Sequence, residues 1–492
     1  MAAEQCSIKN PERLFIDGAW VQPSSSALID VVNPAREDVY VRVAAAQPAD
    51  IERAVAAARR AFDHGPWPRL SHAERAKYLR ALANGVKARA GDIAQSWPQE
   101  MGILHSMAQA YAGGISYMYE FYASLANKFA FEERHTLVEG AFGLLVREPV
   151  GVVGAIIPWN GPILLITLKV APALLAGCTM VVKAAPEAPA AAYILAEVAE
   201  SIGLPPGVLN VVTADRAASE TLVTHPDVDK ISFTGSSAAG RRIASLCGER
   251  VARMTLELGG KSAAIVFDDY DLDKAAECII SQALTATGQV CSSLTRVIVT
   301  RHREKHLVEA LTTRFANVAV GDPFDPNMQM GPLAMPRQRD KVEYYIKKGV
   351  EEGARLTVGG KRPAHLAHGF YIEPAILANV DNRSVVAREE IFGPVLTVIP
   401  ADDEEHAIAL ANDTVYGLNN SVFTQDPEYA YAAARRLRSG TVGHNAFRSD
   451  FSIAFGGFKQ SGIGREGGIE GLLPYLETKT IILEGVPRHH QH

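Results

Sequence analysis

Val152 Val153 Gly154 Ala155 Ile156 Ile157 Pro158 Trp159 Asn160 Gly161 Pro162 Ile163 Leu164 Leu165 lies inside a run, Val150 to Leu168, that carries no charge. By length alone such a run could cross a bilayer. Pro158, Asn160, Gly161 and Pro162 interrupt it, and residues of that chemistry stop a helix and make a turn. The run therefore reads as a buried strand, a turn and a buried helix. A short apolar strand feeding a helix is the unit from which parallel sheets are wound.

The rest of the chain repeats that unit. Short apolar runs at Val152 to Ile157, Met180 to Val182, Leu209 to Val212 and Lys230 to Phe233 are separated by alanine-rich helical segments. A second series follows at Ala263 to Phe267, Arg296 to Thr300, Arg355 to Val358 and Val395 to Ile399. Two α/β domains are expected. Ahead of them, Ile51, Val55, Ala58, Ala61 and Phe62 recur at helical spacing behind Asp50 as a cap, and His72 to Ala94 reads in the same way, so the first 125 residues are expected to be helix-rich. Thr136 to Pro149 alternates around Gly140 and Gly143 like a hairpin, and Thr478 to Leu483 is a late, isolated strand candidate. There is no internal repeat and no low-complexity stretch.

The 492 residues are too many for one small core, and two or three domains follow. Charges of both signs are interspersed to a net of -6, so neither a nucleic acid nor a membrane surface is the expected partner. A small molecule is. The five cysteines, Cys6, Cys178, Cys247, Cys278 and Cys291, are odd in number and widely spaced, without a CxxC pair or a histidine spacing that would hold a metal. Free thiols in a reducing cytoplasm are expected. Glu4, Lys9, Glu12 and Arg13 crowd the N-terminus and no apolar segment accompanies them, which argues against secretion. The closing His489 His490 Gln491 His492 reads as a solvated tail rather than a metal tract.

Two glycine-marked turns carry the chemistry: Glu257 Leu258 Gly259 Gly260 Lys261, and Gly288 Gln289 Val290 Cys291 Ser292. A thiolate is both nucleophile and leaving group, and a carboxylate in a partly apolar site is a base for water. A cysteine beside Ser292 and Ser293 would by itself more often be a small buried residue, as Cys178, Cys247 and Cys278 are expected to be. Likewise Asn160 before Gly161 and Pro162 is ordinary turn chemistry, a lone glutamate before Leu-Gly-Gly is ordinarily solvated, and Phe233 Thr234 Gly235 Ser236 alone is weak evidence for a nucleotide.

Taken in order, Pro158 Trp159 Asn160, Phe233 to Ser236, Glu257 to Lys261 and Gly288 to Ser292 resemble the four signatures of the NAD(P)-dependent aldehyde dehydrogenase superfamily, over nearly the whole length. The resemblance implies a Rossmann-like cofactor domain from 1–125 and 150–261, an α/β catalytic domain from 262–461, and a β-hairpin oligomerisation arm from 126–149 and 475–487. It implies a homodimer or homotetramer. Cys291 becomes the nucleophile, Glu257 the base that hydrolyses a thioester, and Asn160, with the backbone N–H of Cys291, the oxyanion donor. Lys169 matches a family lysine near the water relay, with a structural ion pair as its other reading. Ile156, Pro158, Trp159, Lys183, Phe233, Gly235, Ser236, Glu390 and Phe392 fall on cofactor positions. Of these, Lys183 is expected at the adenosine ribose with Trp159 beside it, Ser236 at the pyrophosphate, and Glu390 and Phe392 at the nicotinamide ribose and ring.

One position departs from the pattern. Strictly NAD-preferring relatives place a glutamate three residues after the lysine; here Pro186 stands there and Glu187 is one residue late. That leaves NADP open beside NAD, with NAD favoured because no arginine stands next to Lys183. The substrate tunnel is expected to draw on Gly161, Leu165 and Leu168 and on the loop before Phe455, with Arg448 and Asp450 able to add a polar contact. Apolar lining favours an aliphatic, terpenoid or aromatic aldehyde over a semialdehyde. Two rivals stay open: an acyl-transferring dehydrogenase that uses coenzyme A, disfavoured by Glu257, and a non-catalytic protein that has kept the fold.

Overall fold

The structure, a computed structural model, describes residues 7–138 and 142–490. Cys6, the turn around Gly140 and the Gln491 His492 end lie outside them. No described helix is long and apolar enough to cross a membrane, because the uncharged run divides at Pro158 to Gly161 as its breakers require.

Val152–Ile156 becomes a fully buried strand, and Pro162–Ala176 a helix with proline in its first turn, where a missing N–H costs nothing. That strand sits at the centre of an eight-stranded sheet. On one side of it lie, in order, Lys230–Thr234, Arg253–Glu257 and Gly462–Ile463; on the other lie Thr179–Ala184, Leu209–Thr213, Leu14–Ile16 and Ala19–Val21. The five strands from Arg253–Glu257 to Leu209–Thr213 are parallel. The chain winds outward from Val152–Ile156 through Thr179–Ala184, then returns on the opposite flank at Lys230–Thr234. Ligands bind beyond the C-terminal strand ends at such a reversal.

A seven-stranded sheet runs in the order Arg355–Val358, Ala375–Ala378, Val395–Ala401, Arg296–Thr300, Ala263–Val266, Asn419–Phe423, Thr441–His444, parallel except for its first strand. A third sheet joins Glu132–Thr136, Phe142–Pro149 and Leu476–Leu483, all antiparallel. Thr136 faces Phe142 across the hairpin, and the late strand is not isolated, since it pairs along the whole of Phe142–Pro149.

Several local expectations need correction. The first 125 residues are helix-rich only from Pro48 onward; before it the described residues carry no helix but four short strands, Leu14–Ile16, Ala19–Val21, Leu28–Val32 and Val39–Ala44. These runs are too short to show a period; Leu14–Ile16 pairs with Ala19–Val21 as a hairpin, and Phe15 joins it to Leu209–Thr213 nearly two hundred residues away. Asp50 is not a cap. The helix Pro48–Asp63 is capped at Gln47, and Asp50 in its first turn accepts from the Gln47 N–H at 2.9 Å. The segment from His72 divides at Arg89 into helices His72–Ala88 and Ala90–Met101. Arg253–Glu257, Ala375–Ala378, Asn419–Phe423 and Thr441–His444 were missed as strands, the last two being rich in Asn, Ser, Thr and Gly.

Candidate active site

The site lies where the C-terminal edge of the eight-stranded sheet meets the N-terminal edge of the seven-stranded one. From the first sheet come Ile156, Lys183, Thr234 and Glu257, each at or near the end of a parallel strand. From the second come Cys291, just before Arg296–Thr300, and Glu390 and Phe392, just before Val395–Ala401. A cleft of about 190 Å³ between the edges is lined by Pro158, Trp159, Asn160, Gly235, Ser236, Cys291, Glu390 and Phe392, together with Thr234, Leu258, Gln338 and Lys341.

The thiol is reached through an unusual piece of backbone. Ala286, Thr287 and Gly288 are left-handed in succession, with φ of 47°, 57° and 73°. At Gly288 a Cβ would stand 2.3 Å from the Gly393 carbonyl carbon, so only glycine lets the segment before Cys291 lie against the segment after Phe392. Phe392 is itself left-handed, at φ 61°, and its ring meets Trp159 edge-on at 5.4 Å. Two strained, non-glycine loops thus abut, and strain of this kind persists where the surroundings over-determine it.

Asn160 donates its side-chain amide to the Gln289 carbonyl at 3.0 Å, two residues before the thiol. Cys291 is only half-buried by surface, yet burial pushes its thiol up to about 12, with the carboxylates of Glu390 and Glu257 adding to the effect. Glu257 is 2% exposed, and neither of its carboxylate oxygens has a hydrogen-bond partner among the described residues. Burial, then the charge of Glu466, holds it well above the usual carboxylate range, while Lys169 and Arg465 pull the other way. A Cβ on Gly456 would lie 2.6 Å from Glu257 Oε1, so the glycine leaves that oxygen room. A buried, unsatisfied carboxylate with a raised affinity for protons can act as a base for a small polar molecule.

Lys169 points to this carboxylate from the helix Pro162–Ala176. It is fully buried, ion-paired with Glu466 and within 2.7 Å of Thr234 Oγ1. Glu390 Oε1 accepts from the Gly260 N–H at 3.1 Å. Burial raises its proton affinity, against the opposing Gly260 bond and the charges of Lys341 and Lys261. Glu466, Gln338 and Lys341 carry no signal in the sequence beyond their types; the fold alone brings them here.

Ser236 lines this cleft and also a second cavity of about 810 Å³, so the two are contiguous. Ile156, Val223, Phe233, Ile243 and Leu246 give the second cavity an apolar wall, and Lys183 and Glu187 face it. Burial pulls Lys183 down to about 8, opposed by Glu187 and Asp215. Ser236 caps the helix Ser237–Glu249, accepting from the Ala239 N–H at 3.3 Å. An apolar slot, a helix N-terminus and a buried lysine in one channel leading to the thiol fit the adenine, phosphates and ribose of a dinucleotide. Trp159 stands in the narrow cleft with Phe392 rather than beside Lys183, because Pro158 turns the chain away from the strand end.

The residues expected at a substrate tunnel are less unified. A Cβ on Gly161 would meet only Leu165, at 3.7 Å, and Leu165 is 8% exposed. Leu168 is wholly enclosed in the core, with no face left for a tunnel. Phe455 packs on Phe451 at 5.0 Å, and Phe451 belongs to the same apolar cluster as Leu164, Leu165 and Val290. None of the four lines the cleft. Arg448 and Asp450 are exposed, Asp450 accepting from the Ser452 N–H at 2.9 Å.

The sequence profile of the Aldehyde dehydrogenase family matches residues 20–481. The chain is 42% identical to the geranial dehydrogenase of Castellaniella defragrans, over 96% of this chain and 99% of that protein. It is 40% identical to a 3-succinoylsemialdehyde-pyridine dehydrogenase of a Pseudomonas species, again over 96% and 99%. Among solved structures, the aldehyde dehydrogenase of Mycobacterium tuberculosis in complex with NAD+ superposes with a TM-score of 0.95 at 43% identity, covering 98% of this chain and 100% of the other. Aldehyde dehydrogenase C of Pseudomonas syringae, bound to NAD+ and octanal, superposes at 0.93 with 39% identity, covering 97% and 98%.

Proposed function

The chain belongs to the aldehyde dehydrogenase family and is an NAD-dependent aldehyde dehydrogenase, and from that premise we propose how its own residues divide the work. The observation that carries the proposal is the pairing of a half-buried thiol with a buried, unpartnered carboxylate at the meeting edges of two sheets. Cys291 gives up its proton to solvent, and the thiolate attacks the carbonyl carbon of the aldehyde. Asn160 offers the amide hydrogen not engaged by Gln289, and with the Cys291 N–H stabilises the charge on the former carbonyl oxygen. NAD+, held by the residues named below, would supply the acceptor for the hydride of the substrate carbon. Glu257 takes a proton from water, which attacks the resulting thioester and frees the acid and the thiolate.

Lys183, Ile156, Phe233 and Ser236 are assigned to the adenosine half of the cofactor, and Glu390 and Phe392, with Gln338 and Lys341, to the nicotinamide half. NADP enters the same channel. Arg216, Arg242 and Arg337 also line it, which the sequence around Lys183 does not reveal. Arg242 is paired with Glu220 and Arg337 with Glu187.

The substrate class is an apolar aldehyde. Leu165 beside Gly161, and the partly buried Leu164, Val290 and Phe451 packed on the same apolar core, support it, as do a relative named for geranial and a structural neighbour bound to octanal. The eight-stranded sheet with 1–125 and 150–261 is assigned to cofactor binding, the seven-stranded sheet in 262–461 to catalysis. The arm, 126–149 and 475–487, is assigned to pairing of subunits as a homodimer or homotetramer; Ile482 and Leu483 leave apolar surface exposed on it. A reducing, cytoplasmic setting agrees with the free thiols of Cys178, Cys247, Cys278 and Cys291, although some relatives are chloroplastic or peroxisomal.

NADH formation from a panel running from short aliphatic through terpenoid and aromatic aldehydes to succinate semialdehyde, without coenzyme A, tests this reading. Sustained turnover, best with apolar aldehydes, is expected. NADH formed only on addition of coenzyme A would assign the chain to acyl transfer.

A further inference from the structure

We propose that Gln289 is a positioning residue for the reaction: its side chain fixes the left-handed segment that aims its own carbonyl at Asn160, the donor to the oxyanion formed at Cys291. The proposal rests on the roles given above to those two residues. Gln289 is fully buried and both ends of its amide are used. Nε2 donates to the Ala286 carbonyl at 3.0 Å, and Oε1 accepts from the Ala334 N–H at 3.0 Å. Its backbone N–H donates to the same Ala286 carbonyl, also at 3.0 Å. One side chain therefore ties the start of the left-handed segment to its end, and the whole segment to Ala334.

The second tie reaches further. Three residues beyond Met335, Gln338 donates to the carbonyls of Ile391 at 3.1 Å and Phe392 at 2.6 Å. The strand of chain from Ala334 to Gln338 thus grips the thiol-bearing loop through Gln289 and the Phe392 loop through Gln338. Thr287 adds a bond from its hydroxyl to the Gly331 carbonyl at 3.1 Å. With Gly288 against Gly393, the left-handed residues have no freedom to relax independently of the Phe392 loop.

The geometric consequence falls on Asn160. Its amide donates one hydrogen to the Gln289 carbonyl, which fixes the plane of the amide and hence the direction of the second hydrogen. Loss of the Gln289 side chain frees that carbonyl to turn, and a donor aimed at the developing oxyanion is sensitive to such turning. A residue that acts only through Asn160 has a distinct signature: its deletion matters little once Asn160 is gone.

The test is a double-mutant cycle in the full-length enzyme with NAD+ and octanal. Asn160→Ala is expected to lose about 10²–10³ in kcat. Gln289→Ala is expected to lose about tenfold or more in kcat with little change in KM or in NAD+ binding, read by protein fluorescence; in the Asn160→Ala background the same change should cost less than about threefold. Equal losses in both backgrounds would overturn the proposal, as would an unchanged kcat. Gln289→Met keeps the volume, and loss of NAD+ binding in both variants would make the residue merely structural and sink the idea. Absence of turnover in the parent enzyme would instead count against the functional reading itself.

Discussion

Lys169 and Glu466, 297 residues apart in sequence, form a buried ion pair beside Glu257, and Lys169 also reaches Thr234. A charge pair removed from water survives only while both partners are present. Lys169→Met is expected to cost about 3–5 kcal/mol of stability, because it strands the Glu466 carboxylate in the core. Denaturant unfolding measures it; a cost near zero would mean that the pair contributes nothing to stability.

The same pair acts on the proposed base. Burial and the Glu466 charge raise the proton affinity of Glu257, so its ionised, active form appears only as pH rises through that elevated value. Thioester hydrolysis should therefore climb with pH to a plateau. Glu466→Gln removes a negative charge and leaves Lys169 unopposed; both changes favour ionised Glu257, so the profile should move to lower pH. A shift to higher pH would show that Glu466 does not act on Glu257 through its charge.

Cys291 should be a slow nucleophile in the resting enzyme. With its thiol pushed up to about 12, alkylation by iodoacetamide should rise steadily, about tenfold per pH unit, from neutrality through pH 9. A plateau near neutrality, read by mass spectrometry of the Cys291 peptide, would show a thiolate already formed without substrate.

Cofactor choice should turn on Arg337, which the fold carries to Glu187 from the start of the helix Pro336–Glu351. NAD is expected to be preferred, with a kcat/KM for NADP below that for NAD. Arg337→Ala should lower that ratio by about tenfold, the worth of one charge-assisted bond to a phosphate. An unchanged ratio would locate the selection elsewhere, with Arg216 the next residue to replace.

The chemistry was legible because each group stands next to residues that punctuate the chain. Asn160 follows a proline turn, Glu257 precedes two glycines, and Cys291 follows Gly288, so the places where strands end could be read before any packing was known. Glu466, Gln338, Lys341 and Arg337 were not, because a charged or amide side chain in a helix or loop looks the same whether it meets water or a distant loop. Leu168 shows the converse error: the helix was foreseen, but its tunnel-facing side depends on what packs around it, and every side of Leu168 is covered. The opening strands failed for a third reason, since Leu14–Ile16 and Ala19–Val21 are three residues each, too short to show a period, and join the large sheet through Phe15 and Val211.

The most direct test of the account is to trap the acyl enzyme. Glu257→Gln is mixed with NAD+ and octanal, quenched in acid after the first turnover, and digested for mass spectrometry while NADH is counted in parallel. The account predicts about one NADH per site in a burst, slow turnover after it, and an octanoyl group on the peptide carrying Cys291. Undiminished steady turnover with no adduct, or an acyl group on any other cysteine, would contradict it.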